Sequence, residues 1–194
     1  MPHITRESLL SLEAYARERD AFRNRVIEHK KSRKLALGEN VTLLFEDELT
    51  IRYQVQEMLR VERTFEEDGI VSELDAYNPL IPDGGNLKAT MLIEYSDPEE
   101  RKVWLSHLKG IESRVWLEVE DYPRVYAIAD EDLDRENEQK TSAVHFLRFE
   151  LTPRMQAAMK RGASLAAGID HPQYQASLAE VDAATRASLA ADLA

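Results

Sequence analysis

Five polar side chains stand in apolar company. Gln54, Glu57 and Glu62 lie in the segment 48–67, where Ile51, Val55, Met58, Val61 and Phe65 recur at helical spacing. On that helix Gln54 and Glu62 fall inside the apolar stripe and Glu57 at its edge. In the segment 143–151, Ala143, His145, Leu147, Phe149 and Leu151 share one face of a strand, which flanks His145 with core residues. Arg148 shares the other face with Val144, Phe146 and Glu150. Burying such groups unpaired costs on the order of a few kcal/mol, so each needs a partner. Three readings compete. The five form a hydrogen-bond and ion-pair network locking helix to sheet; or they line a pocket for a small ligand; or Glu57, Glu62 and His145 hold a divalent metal, with Fe, Mn or Zn suited to such oxygen and nitrogen donors. The i to i+5 spacing of Glu57 and Glu62 does not put both carboxylates on one helical face, which weighs against the metal.

Two further residues join the candidate pocket. Tyr77 precedes the clearest loop in the chain, Asn78-Pro79-Leu80-Ile81-Pro82-Asp83-Gly84-Gly85-Asn86, and is placed either as a lid or as helix-end packing. His171 stands in Gly168-Ile169-Asp170-His171-Pro172, where Asp170 and Pro172 read as the start of a helix and His171 as a side chain a loop brings to a site. A basic cluster of Arg23, Arg25, Lys30, Lys31, Arg33 and Lys34 closes the first helix. It reads as cations at a helix C-terminus, or as a docking patch for an acidic partner or the acidic remainder of a second copy.

The elements that must position these groups alternate irregularly. A first amphipathic helix opens at Thr5 and runs to the basic cluster. A strand follows at 41–45; Asp47 caps the helix 48–67, Asp68-Gly69 breaks it, and a further helical stretch covers 70–77. A strand at 87–95, a helix from Asp97 to about Lys109, strands at 115–119 and 125–129, and a polar loop or short helix at 130–141 come next. The strand 143–151 leads into a helix from Thr152 that closes near Gly162. Residues from Tyr174 onward read as an Ala-rich terminal helix. The pattern predicts an α+β fold, a mainly antiparallel sheet of about five strands packed against helices, with helices at both ends. The expected divisions are 1–34, 35–172 and 173–194.

Composition narrows the chemistry. The 194 residues contain no cysteine, which excludes thiol nucleophiles and sulfur-ligated metals held by this chain. The net charge of −11 argues against broad nucleic-acid binding. That total is uneven: residues 1–34 carry nine basic and five acidic residues, and the acidic excess lies beyond them. No stretch has the length of a membrane span and the N-terminus has no signal-like apolar run, so a cytoplasmic protein is expected. The phosphate-cradling glycine motifs, GxSxG, HExxH and any Glu-x-x-His pair are missing.

The segments Phe45-Glu46, Tyr53-Gln54-Val55-Gln56-Glu57-Met58-Leu59-Arg60-Val61-Glu62, Tyr77-Asn78-Pro79-Leu80-Ile81-Pro82, Ser142-Ala143-Val144-His145-Phe146-Leu147-Arg148-Phe149 and Gly168-Ile169-Asp170-His171-Pro172 resemble an uncharacterised bacterial family, domain of unknown function 3501. The resemblance runs from about Arg33 to Tyr174. It implies no activity and no catalytic residue. Members are often encoded near rubrerythrin-like and iron–sulfur proteins, which implies a role in peroxide defence or iron-linked redox metabolism and a redox protein as partner. The expected function is an accessory or binding protein beside a rubrerythrin-type system. The alternatives are a metal-dependent enzyme using the Glu/His cluster, and a structural homodimer with no small-molecule site.

Overall fold

The structure is a computed structural model and describes residues 3–129 and 140–194. The polar segment expected as a loop or short helix falls largely on 130–139, outside the described residues. A 3-10 turn at Arg6–Ser8 precedes α1 (Leu12–Lys30), then β1 (Lys34–Leu37), β2 (Val41–Phe45), α2 (Glu48–Glu62) and α3 (Glu67–Tyr77). Next come β3 (Asn86–Ile93), α4 (Pro98–His107), β4 (Val115–Val119), β5 (Val125–Tyr126) and β6 (Ile128–Ala129). The chain ends with β7 (Val144–Glu150), α5 (Pro153–Lys160), β8 (Leu165–His171), β9 (Tyr174–Leu178) and α6 (Ala183–Ala190).

The architecture is α+β with antiparallel pairing throughout, as the pattern predicts, but the strands form two sheets. One has the order β1-β2-β3-β7-β6 and the other β5-β4-β8-β9. Alternation decides which faces meet. Val41, Leu43 and Phe45 of β2, Leu87, Ala89 and Met91 of β3, and Leu147 and Phe149 of β7 share one apolar cluster with Val115, Leu117, Val119, Leu165, Ala167 and Ile169 of the second sheet. Ala127 alone separates β5 from β6, so the chain steps from one sheet to the other there, its N–H donating to the Val115 carbonyl at 2.9 Å. At the opposite edge the Tyr174 hydroxyl donates to the Leu37 carbonyl at 2.7 Å and accepts the Asn40 N–H at 3.1 Å. Gly38, at φ +73°, makes the β1–β2 turn beneath it; a Cβ there would stand 2.6 Å from that hydroxyl.

A second apolar cluster joins the helices. Ile51, Val55 and Leu59 of α2 meet Ile70 and Leu74 of α3, with Ile4, Leu9 and Ile81. Gln56 is 1% exposed; its Oε1 accepts the Leu10 N–H at 2.8 Å, fixing the segment before α1.

Several boundaries differ from the sequence reading. Ser11 caps α1, accepting the Ala14 N–H; Thr5 starts only the short turn, because Leu9 is extended to reach the helical core. α2 ends at Glu62, since Arg63 adopts a left-handed conformation (φ 55°) and Thr64 N–H closes on the Leu59 carbonyl. Val61 and Phe65 are therefore 66% and 72% exposed and do not continue the stripe. Asp68-Gly69 lies inside α3, whose first turn carries Glu67 and Asp68 at the end the helix dipole favours. Residues 165–178 are a hairpin, where irregular chain and a terminal helix were expected. Leu165, Ala167, Ile169 and His171 alternate inward, and Tyr174, Ala176 and Leu178 are half-buried between exposed Gln175 and Ser177. That period of two outweighs the helical propensity of alanine. Asp47 caps α2 as read, and the helix starts read at Asp97 and Thr152 prove to be caps too, each accepting a backbone N–H. The expected divisions do not separate cores: Val181, Leu189 and Leu193 belong to the cluster between the sheets.

Candidate functional site

The residues singled out from sequence fall into separate neighbourhoods. Gln54, Glu62 and Tyr77 come together where α2 meets α3, joined by Glu73, but Glu62 is exposed and not within a buried stripe, because α2 ends on it. Burial pushes the Tyr77 hydroxyl up, the Gln54 side chain bonded to it lowers it, and the carboxylates of Glu73 and Glu62 raise it. Burial, then Glu62, pushes the Glu73 carboxyl up in turn. Glu57 faces the other way, into α1: Arg19 grips it with Nε at 2.8 Å and Nη2 at 2.7 Å, and the Tyr15 hydroxyl donates to it at 2.8 Å. The Arg19 bonds chiefly, against some desolvation, hold the Glu57 carboxyl down to about 2. This fork locks α1 to α2.

His145 lies on the inner face of β7, fully buried, as the alternation predicts. Its Nε2 is 3.0 Å from both the Thr141 hydroxyl and the Ser142 carbonyl, and 3.8 Å from Glu112. Arg148 is on the outer face and pairs with Glu150 on the same strand. His171 is locked at the β8–β9 turn: Nε2 donates to the Lys109 carbonyl at 3.0 Å and Nδ1 accepts the Gln173 N–H at 3.2 Å. Both ring nitrogens are satisfied in one neutral tautomer. Glu57, Glu62 and His145 thus do not converge, and among the described residues no three His, Asp or Glu side chains gather as a metal set.

The basic cluster also divides. Arg33 is 1% exposed and is no docking residue. Its guanidinium donates to the Phe45 and Glu46 carbonyls, bonds Asp192 at 2.5 Å and stands 3.5 Å from Asp47, which His29 contacts at 2.5 Å. A single sequence gives no warning of this, because the partners lie on α1, α2 and the chain end. Burial pushes the Asp47 carboxyl up, but Arg33, the Thr50 N–H and His29 outweigh it and hold it low; for Asp192 burial wins and the carboxyl is raised. Arg23, Arg25, Lys31 and Lys34 remain on the surface, with Lys30 half-buried.

A different constellation occupies the outer face of the second sheet. Trp116 is opposite Tyr126 on β5 and Gly168 on β8. Its ring lies over Gly168 so closely that a Cβ there would be 2.3 Å from Cζ2. On the indole, Arg124 places its guanidinium carbon 3.8 Å from the ring centroid, held by Glu118 at 2.9 Å. The Tyr126 hydroxyl donates to Asp170 Oδ2 at 2.6 Å, and this bond chiefly keeps the tyrosine above its ordinary range. Asp170 Oδ1 is sealed from solvent and has no hydrogen-bond partner among the described residues. Asp170 is thus no helix cap but a strand residue with an open acceptor. Sequence reasoning missed Trp116, Arg124 and Tyr126 because only the pairing of β5 with β4 and of β4 with β8 makes them neighbours of Asp170.

The family model for a protein of unknown function, DUF3501, matches residues 3–193. The chain belongs to the DUF3501 family. Its structure is similar to the crystal structure of a novel protein of unknown function from Burkholderia pseudomallei K96243, at 56% identity over 100% of both chains with a TM-score of 0.95. No curated protein matches this DUF3501 chain.

Proposed function

We propose that this DUF3501 protein is a cytoplasmic binding or accessory protein whose site is the outer face of the second sheet. There Asp170 receives a hydrogen-bond-donating cation, an ammonium or guanidinium group. Asp170 Oδ1, without a partner among the described residues, carries this reading. A buried acceptor left unmade costs about 1–3 kcal/mol, which a donating ligand recovers. Tyr126, 42% exposed on a two-residue edge strand, is the cover that moves to admit it. The Arg124 guanidinium already occupies the Trp116 ring, so an incoming donor is received by the Asp170 carboxylate and not by the indole. A rubrerythrin-type redox protein as partner comes from the family resemblance; on this reading such a partner offers a lysine or arginine side chain to Asp170. The separation of Glu57, Glu62 and His145 favours binding over a metal-dependent reaction at those residues.

The test is titration with methylammonium and methylguanidinium, read at the Trp116 indole N–H resonance, with Trp104, stacked on Tyr95, as internal control. A saturable shift at Trp116 that Asp170→Asn abolishes is expected. No shift, or one unchanged in Asp170→Asn, overturns the site. A rubrerythrin-type protein is titrated in the same way; if the small cations bind and that protein does not, the site stands and the partner is rejected.

A further inference from the structure

The longest helix has an unusual surface. α1 runs for 19 residues and buries only Tyr15 and Val26. Along another face Glu13, Ala16, Asp20, Arg23, Ile27 and Lys30 recur at alternating spacings of three and four. That is the repeat with which one helix seats against another. The first five are exposed, Ile27 by 48%, and Lys30 is half-buried.

The order of side chains along this ridge is self-complementary. Its N-terminal half is acidic with the small Ala16 between two carboxylates, while its C-terminal half is basic with the large Ile27 between two cations. Turn a second α1 antiparallel, with the two-fold axis midway between Asp20 and Arg23. Each pair then meets its complement: Asp20 faces the partner copy's arginine, small Ala16 faces its isoleucine, and Glu13 faces its terminal lysine. A parallel pairing instead sets like charge against like. None of Glu13, Asp20, Arg23 and Lys30 forms an ion pair with any described residue; Glu13 is engaged only locally, at its own helix start, by backbone N–H, Ser11 and Arg17. A cavity of about 160 Å³, lined by Leu10, Leu12, Glu13 and the exposed Phe65, adjoins the Glu13 end, where the C-terminal end of the partner helix arrives.

We propose that α1 is the interface of a two-fold homodimer in which the α1 helices of two copies pack antiparallel. The isologous contact closes on itself and gives a dimer, not a filament. The inference is independent of the Asp170 site and shares no residue with it. Because Ala16 and Ile27 are the two apolar side chains on this ridge, the dimer depends chiefly on charge and weakens with salt.

Sedimentation velocity over a concentration series, at low and at high salt, reads the equilibrium. A dimer at low salt that dissociates as salt rises is expected. Arg23→Asp sets carboxylates against Asp20 across the axis and weakens the dimer about tenfold or more; Asp20→Arg does the same with guanidinium groups. The double variant Asp20→Arg/Arg23→Asp restores it. These positions are solvent-exposed, so circular dichroism of each variant matches the parent. A monomer at every concentration overturns the proposal, as does a dimer that Arg23→Asp leaves intact or a double variant that fails to regain it.

Discussion

Gly168 shows how one side chain's absence shapes a site. The Trp116 indole occupies the space a Cβ would need, and the Ala176 carbonyl lies 2.7 Å from that point on the next strand. Neither a ring clamped between strand and guanidinium nor a ladder carbonyl gives way readily. Gly168→Ala therefore overpacks the face and costs about 1–3 kcal/mol. Urea unfolding gives that loss directly, and near-ultraviolet circular dichroism reports the displaced indole. An unchanged midpoint with an unchanged tryptophan signal would show the ring is free to move. The clamp matters for the proposed site, since Trp116 and Tyr126 together fix the wall beside Asp170.

At the scale of elements, Arg33 ties the chain end to its beginning. It reaches from the residue before β1 to Asp47, the cap of α2, and to Asp192, just beyond α6. Removing the guanidinium leaves two enclosed carboxylates facing each other. Arg33→Met is expected to cost about 3–5 kcal/mol, as for other broken buried pairs. Hydrogen exchange should rise first in α6, which loses its Asp192 and Ser188 contacts while its Leu189 packing remains. Exchange rising uniformly across the sheets instead would assign Arg33 to the global core. What the sequence disclosed and withheld divides along the same line. Asp47 as a cap, and Asp97 and Thr152 as helix starts, are legible because capping is decided within four residues. The inward face of β7, His145 included, was legible from alternation. The hairpin at 165–178 was not, because its alanines favour a helix locally and only pairing with β4 selects the strand. The same holds for the site: Asp170 was visible, but its neighbours come from strands roughly fifty residues away in the chain, as the Trp116–Gly168 register shows.

For the whole molecule the question is what acid does to a chain carrying 36 carboxylates and a net charge of −11. Lowering the pH first neutralises surface carboxylates and relieves self-repulsion, which favours the compact state. Glu57 acts against this. Its folded-state carboxyl is held near 2 against an ordinary 4.5, mainly by the Arg19 bonds, so the folded chain binds this proton less readily than the unfolded chain. The stability it contributes is present above pH about 4.5 and is lost as the pH falls from there towards about 2. Asp47, also held low, adds a loss in the same direction; Asp192, raised by burial, opposes it, because its protonation favours the folded state. Urea midpoints of the parent and Glu57→Gln, compared from pH 7 down to pH 2, isolate the first contribution. The variant should be less stable at neutral pH, and the gap should close through the window between 4.5 and 2 as the parent's carboxylate protonates. A gap that stays constant across that range would mean that packing between α1 and α2, not the ion pair, sets the cost of the substitution. A gap that closes while α1 stays helical would place the loss at the α1–α2 contact.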